Sequence, residues 1–312
     1  MSTELIQAIR AQSKLSISQA ISLVENRGEI GKDILSKIYK FTGQAYRIGI
    51  TGPPGAGKSS LTDQLISAFR EKNKKVAVIA IDPTSPFSGG AVLGDRIRMT
   101  KHHSDQNVYI RSMATRGNQG GLSVQAEEIG DIFDAAQFDI IIYETVGVGQ
   151  IELDIVQAAD TVVVVLVPES GDEVQMMKAG LMEIGNIFAI NKADRPGANK
   201  LNITLQNLLS IIPIDNDSWI TPVIRTIATE GKGMEELVTN INSHYEYNQA
   251  NGLRYEKFDE RYQRRLNAYV NLDLQNKFWN KIKQKSLIAE LKKSQKERMS
   301  PYLLSKKLLE NE

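Results

Sequence analysis

Gly52-Pro53-Pro54-Gly55-Ala56-Gly57-Lys58-Ser59 is the stretch that decides the fold. It has the spacing G-x-x-x-x-G-K-[ST], whose chemistry is phosphate binding. The glycines let successive backbone N–H groups turn inward around phosphate oxygens. The helix expected to open near Ser60 adds the positive end of its dipole. Lys58 is placed to reach the β- and γ-phosphates, and the Ser59 hydroxyl to ligate Mg²⁺. The loop follows the apolar run Arg47–Gly52, so strand, loop and helix come in the order such a site needs.

Working outward, six more β-branched or apolar runs follow: Val76–Asp82, Val108–Met113, Asp139–Thr145, Thr161–Val167, Ile187–Asn191 and Pro222–Ala228. Several are apolar throughout, as strands buried on both faces are. Helix-length segments lie between them, Leu61–Lys72, Leu122–Ala135 and Val174–Ile184 among them. Alternation of this kind predicts an α/β fold, a P-loop NTPase with a mostly parallel central sheet flanked by helices. Residues 1–45 read as a helical extension, with Leu15–Val24 at helical spacing and Asn26-Arg27-Gly28 as a stop. Residues 46–248 form the nucleotide domain. Residues 249–312 carry no strand candidate and form a second helical extension, with Ser300-Pro301 expected to break it. This tail is too polar for a core of its own and is expected to pack on the main domain or on a second subunit.

Composition narrows the classes. A net charge of +1 provides no field for nucleic acid. The tail from Leu253 holds 15 Lys/Arg against 8 Asp/Glu, but its aromatics are too sparse for a base-stacking surface. No nucleic-acid partner is expected. No apolar run is long enough to cross a bilayer, and the polar N-terminus lacks a signal-peptide core. With no cysteine, disulfides and thiolate metal sites are excluded. A cytoplasmic address and no membrane association are the expectation. The chain has three histidines, and the adjacent pair His102-His103 reads as a solvated helix end.

Asn191-Lys192-Ala193-Asp194 follows the run Ile187–Ile190. As a bare pattern N-K-x-D is also a polar turn. Two strands beyond 139–145, in a chain with a phosphate loop, it reads as a guanine loop. The Asp194 carboxylate accepts from N1–H and the exocyclic amine of guanine, and adenine presents neither donor there. The Lys192 stem is expected over the base. In Thr226-Ile227-Ala228-Thr229-Glu230-Gly231 an isoleucine stands where a serine is usual, so only the Ala228 amide is expected at the base.

Two further segments carry carboxylates suited to Mg²⁺ or its waters. Asp82 ends a strand and is equally readable as a strand-ending Asp-Pro turn. Asp95 lies in a Gly-rich stretch beside Arg96 and Arg98, as befits a loop ordered by γ-phosphate and metal. Glu144 stands where an aspartate is usual, with Gly147 in register to offer its N–H to the γ-phosphate. Val148 occupies the place of the usual water-orienting glutamine.

These residues resemble the methylmalonyl-CoA mutase-associated GTPases, the MeaB/ArgK family. The resemblance rests on GPPGAGKSS (52–60), DPTSPFSGGAVLGDRIRM (82–99), YIRSMATRG (109–117) with GGLS (120–123), ETVGVGQ (144–150), PESGDEVQMMKAGLMEI (168–184), NKAD (191–194) and SQAISLVEN (18–26). It covers most of residues 15–240. It implies a Mg²⁺-dependent hydrolase of GTP to GDP that chaperones an adenosylcobalamin-dependent acyl-CoA mutase, and a homodimer with the C-terminal helices as its arm. By position it implies catalytic roles for Lys58, Asp95 and Glu144 and a metal set of Ser59, Asp82, Asp95 and Glu144. Nucleotide contacts run from Gly52 to Ser60, with Gly147, Asn191, Lys192, Asp194 and Ala228. Gln150, Gln175 and Lys178 fall in switches that respond to the mutase, although Val174–Ile184 is equally an amphipathic helix. Competing readings are a nickel-inserting GTPase, which the lack of Cys and His clusters disfavours, and a nucleotide-driven kinase of basic amino-acid transport.

Overall fold

The computed structural model describes residues 2–83, 99–102, 104–115, 121–145, 157–170, 181–211 and 218–310. Three helices open the chain: α1 (Ser2–Arg10), α2 (Lys14–Glu25) and α3 (Glu29–Ile38). Ser13 caps α2, its hydroxyl accepting from the Ser16 amide at 3.3 Å. Asn26 and the left-handed Arg27 (φ 52°) end it.

Among the described residues seven strands follow: β1 (Tyr46–Thr51), β2 (Val76–Pro83), β3 (Val108–Thr115), β4 (Ile140–Thr145), β5 (Thr161–Leu166), β6 (Ile187–Ile190) and β7 (Val223–Arg225). The helices are α4 (Lys58–Glu71), α5 (Gly121–Ala135), α6 (Leu181–Ile184), α7 (Ala198–Ile211), α8 (Met234–Ala250), α9 (Leu253–Phe278), α10 (Lys281–Leu291) and α11 (Pro301–Glu310). The sheet order is β3-β2-β4-β1-β5-β6-β7, with every neighbouring pair parallel. β1 sits at the centre, where successive connections depart to opposite sides. The crevice beyond the carboxyl ends of the strands is where such sheets bind ligands.

Strand periodicity sorts the core. Ile48, Ile50, Ile140, Ile142, Val163 and Val165 face α4 and α8, against Leu61, Leu65, Ile66, Phe69, Leu237 and Ile241. Ala77, Ile79, Ile141 and Tyr143 face the other way, onto α5 and the three N-terminal helices through Ile17, Ile21, Ile34, Ile129 and Phe133. Val162, Val164, Phe188 and Ile190 pack under α7. Each fully buried side chain of this size contributes about 1.5–3 kcal/mol of hydrophobic stabilisation. The N-terminal extension is thus built into the main core.

One polar cluster crosses the apolar layer behind the sheet. Arg47 of β1 pairs with Asp131 of α5 at 2.7 Å and stands 3.6 Å from Asp134, all three buried. Asp134 also accepts the amides of Gly43 (2.7 Å), Gln44 (3.2 Å) and Ala45 (3.0 Å). From α9 the Arg254 guanidinium donates to the carbonyls of Gly43 (2.9 Å) and Gln44 (2.7 Å). The strap that leads into β1 is therefore held by its N–H groups on one side and its C=O groups on the other.

The chain divides into two compact units, Met1–Phe258 and Asp259–Glu312. In the second, Asn280 caps α10, its side chain accepting from Ile282 (3.0 Å) and Lys283 (2.9 Å). The helical tail is interrupted from Lys292 to Ser300, and helix resumes at the Ser300-Pro301 break that the sequence suggested. Pro301 is the first residue of α11, where its missing N–H costs nothing, and the Ser300 hydroxyl accepts from Leu303 at 3.3 Å. The seventh strand is also shorter than the run 222–228. Ile227 leaves to bridge Lys232, and Ala228–Glu230 coil into one 3-10 turn.

Candidate functional site

β1 ends at Thr51, and the chain turns through Gly52 with φ 137°. A Cβ at Gly52 would drive into the Val165 carbonyl oxygen of β5. At Gly57, φ is 87° and a Cβ would strike the Asn191 side-chain nitrogen. Only glycine serves at either position. α4 then starts at Lys58, so its unpaired amides face the loop interior. Pro54 and Gly55 are exposed at the tip, Ala56 is buried beneath it, and Ser60 is half-buried on the first turn.

The Lys58 ammonium, itself buried, donates to the carbonyls of Gly52 (2.7 Å) and Pro53 (2.9 Å). It thus lies across the mouth of the loop that a phosphate chain would fill. The Ser59 hydroxyl donates to Glu144 Oε1 at 2.6 Å. Strand parity explains the meeting, because Glu144 shares the α4 face of β4 with Ile140 and Ile142. A hydroxyl and a carboxylate at the loop's edge are the hard oxygen donors that Mg²⁺ takes. β2 ends alongside, with Ala80 opposite Glu144 and Ile81 opposite Thr145. The Asp82 backbone is therefore at the same end of the sheet, while its side chain lies outside the described residues. Asp95, Gly147, Gln150, Gln175 and Lys178 lie outside them altogether.

The second loop is tied to the first. Asn191 is buried at the end of β6, and its amide nitrogen donates to Ala56 O at 2.9 Å. Its oxygen accepts from the Thr226 hydroxyl at 3.3 Å and the Ala228 amide at 3.1 Å. Lys192 takes a left-handed φ of 55°, and its ammonium reaches Gly55 O at 2.9 Å. Asp194 is exposed at the loop tip. Neighbouring Arg195 pairs with Glu169, which holds the Glu169 carboxyl below its usual range. Ala228 was expected to give its N–H to the base. That N–H already serves Asn191, so guanine must share it or displace Asn191. Sequence reading missed Thr226, which also accepts the Ala193 amide at 3.1 Å through its carbonyl. Its place directly after β7 was the available signal. His102 is buried, not solvated: its Nε2 stands 3.1 Å from Asp63 Oδ1. Among the described residues no group of three or more His, Asp or Glu side chains is gathered as a metal site.

A phosphate cradle, a hydroxyl–carboxylate pair at its edge and a base loop bonded to it describe a GTPase site. Residues 17–283 match the family model for the methylmalonyl Co-A mutase-associated GTPase MeaB. The chain belongs to the MeaB family. A Pyrococcus abyssi relative carrying a GTPase name is 45% identical over 307 residues, 97% of this chain and 94% of its own. The mouse methylmalonic aciduria type A homolog, mitochondrial, is 32% identical over 238 residues, 71% of this chain and 57% of that protein. A solved structure of a LAO/AO transport system kinase superposes with a TM-score of 0.73 at 25% identity, covering 99% of this chain and 96% of that one. As a MeaB-family GTPase the chain binds guanine nucleotide and hydrolyses GTP. No helix among the described residues is long and apolar enough to cross a membrane.

Proposed function

We propose that this GTPase is the nucleotide-switched chaperone of an adenosylcobalamin-dependent acyl-CoA mutase, acting as a Mg²⁺-dependent homodimer. The observation that carries the reading is the family match over 17–283, whose members are described by their association with methylmalonyl-CoA mutase. Ser59 and Glu144 would hold a Mg²⁺, with Asp82 and Asp95 as further carboxylates, and its positive charge would offset that of the β- and γ-phosphates. Lys58 exchanges its two loop carbonyls for phosphate oxygens and shares that task. The buried Glu144 fixes the Ser59 hydroxyl. Val148 in the usual glutamine place leaves water orientation to another group, which a mutase partner supplies by favouring one arrangement of the segments 83–99, 144–150 and 170–184.

The test mixes purified protein with candidate mutases and follows GTP turnover, with Lys178→Ala as the partner control and Lys58→Ala as the chemical control. Stimulation by one mutase, lost in Lys178→Ala, is the expected result. No binding and no change of turnover with any such mutase in any nucleotide state would remove the chaperone role and leave the hydrolase. A transport-linked kinase, the reading that the name of the solved neighbour suggests, instead requires phosphate to appear on a protein acceptor.

A further inference from the structure

At the opposite end of the sheet, where the strands begin, the first unit contains a cleft of about 540 Å³. Its floor is the first residue of β1, Tyr46, and the first of β4, Ile140, both buried. The phosphate loop follows the other end of β1 and Glu144 lies near the other end of β4, so the two sites share two strands and no residue. Its walls are aromatic. Phe41 stands on one side, and Tyr245 of α8 contacts Tyr46 edge to face at 4.6 Å.

The rim is cationic. The Arg10 guanidinium lies 4.2 Å from the centre of the Phe41 ring, and the Lys40 ammonium 5.1 Å from the same centre. Both are exposed, and among the described residues neither stands within ion-pair distance of a carboxylate. Lys74 is the third cation. Two carboxylates also line the cleft, but both are committed. Asp134 takes the three strap amides and faces Arg47. Asp139 takes the Lys75 amide at 2.7 Å and lies 3.8 Å from Lys74. Three cations against two carboxylates leave the cleft net positive, with two of the cations gathered on one ring, so an anion there lowers the energy.

We propose that this cleft is a second ligand site, for a small phosphorylated molecule that carries a flat ring, of the nucleotide class. Arg10 and Lys40 bind the phosphate groups, with Lys74 at the edge. The ring lies against Phe41 and Tyr245, and the side-chain amide of Asn242 offers a donor and an acceptor to its edge. A volume of 540 Å³ is in the range of clefts that enclose such ligands.

The experiment uses the full chain saturated with GDP, which fills the phosphate loop, and titrates it with ADP by calorimetry. A parallel titration uses inorganic pyrophosphate, which has the charge and no ring. Saturable ADP binding, with pyrophosphate weaker, is the expected result. Arg10→Glu and Lys40→Glu change exposed side chains and leave GDP affinity as it was. Each weakens ADP by roughly tenfold or more, the worth of one charge-assisted contact. No saturable ADP binding to GDP-loaded protein at millimolar concentration overturns the proposal. So does binding that is unchanged in both charge-reversal variants, and so does pyrophosphate binding as tightly as ADP. None of these outcomes bears on guanine binding or on the mutase.

Discussion

In the proposed base contact Asp194 would accept from two donors that only guanine presents together, and its side chain is exposed at the end of a loop. Substitution to Asn turns one acceptor into a donor, which suits xanthine, whose carbonyl replaces the guanine amine. Asp194→Asn is therefore expected to weaken GTP by roughly a hundredfold, from two contacts to a charged acceptor, and to gain affinity for xanthosine triphosphate. Competition between the two nucleotides for the wild type and the variant measures it; unchanged GTP preference would detach Asp194 from the base. Asn191 differs from Asp194 although the two stand in one motif. It is buried and spends its amide on Ala56 O, the Thr226 hydroxyl and the Ala228 amide, so it joins the loops. The motif revealed both residues in the sequence. Their different work was not legible there, because it depends on which loops the fold brings together.

At the scale of elements, the seven strands and α4 and α5 were legible because buried parallel strands are continuous apolar runs and the intervening helices have their own period. Ser59 meeting Glu144 was legible too, once the motif order placed both at one end of a sheet. The strap was not. Nothing in Gly43-Gln44-Ala45 announces that α5 and α9 grip it, since Asp134 and Arg254 are far away in sequence and ordinary in helices. Its energetics are nonetheless definite. Asp134→Ala would leave three strap amides without their acceptor and Arg47 with less counter-charge in a buried setting. The expected cost is about 3–5 kcal/mol, as for other broken buried charge networks. Arg254→Ala removes its contacts to the strap carbonyls and to the Tyr245 hydroxyl and ring at a partly exposed edge, and is expected to cost about 1–2 kcal/mol. Urea unfolding of the two variants checks the order. Equal costs would mean that the strap is not held through Asp134.

The whole molecule shows two stability features that belong to different units. In the first, His244 of α8 is buried with Nδ1 2.6 Å from the Thr161 hydroxyl, and burial together with the nearby Lys257 pushes its imidazole from 6.5 down to about 4. An unfolded chain takes up that proton near pH 6.5 and the folded one does not, so stability is lost as pH falls from about 6.5 toward 4, by on the order of 3 kcal/mol in total. His244→Gln should flatten the unfolding free energy across that window by about one proton; an unaltered slope would place the titration elsewhere. The second unit carries Tyr262, Leu266, Val270, Ile282, Ile288 and Leu291 each 46–75% exposed. That is more apolar surface than a short helical unit leaves in water unless a partner covers it. The homodimer proposed above would cover the same patch on both protomers by one symmetric contact. A chain ending after Phe258 keeps Arg254 on the strap and Lys257 on the Asp160 carbonyl, at 2.7 Å, so the first unit retains its anchors. It is expected to fold, bind GDP and sediment as a monomer, whereas the full chain sediments as a dimer. A dimeric truncated chain would put the interface in the first unit. A truncated chain that binds no GDP would show that the nucleotide site depends on residues beyond 258.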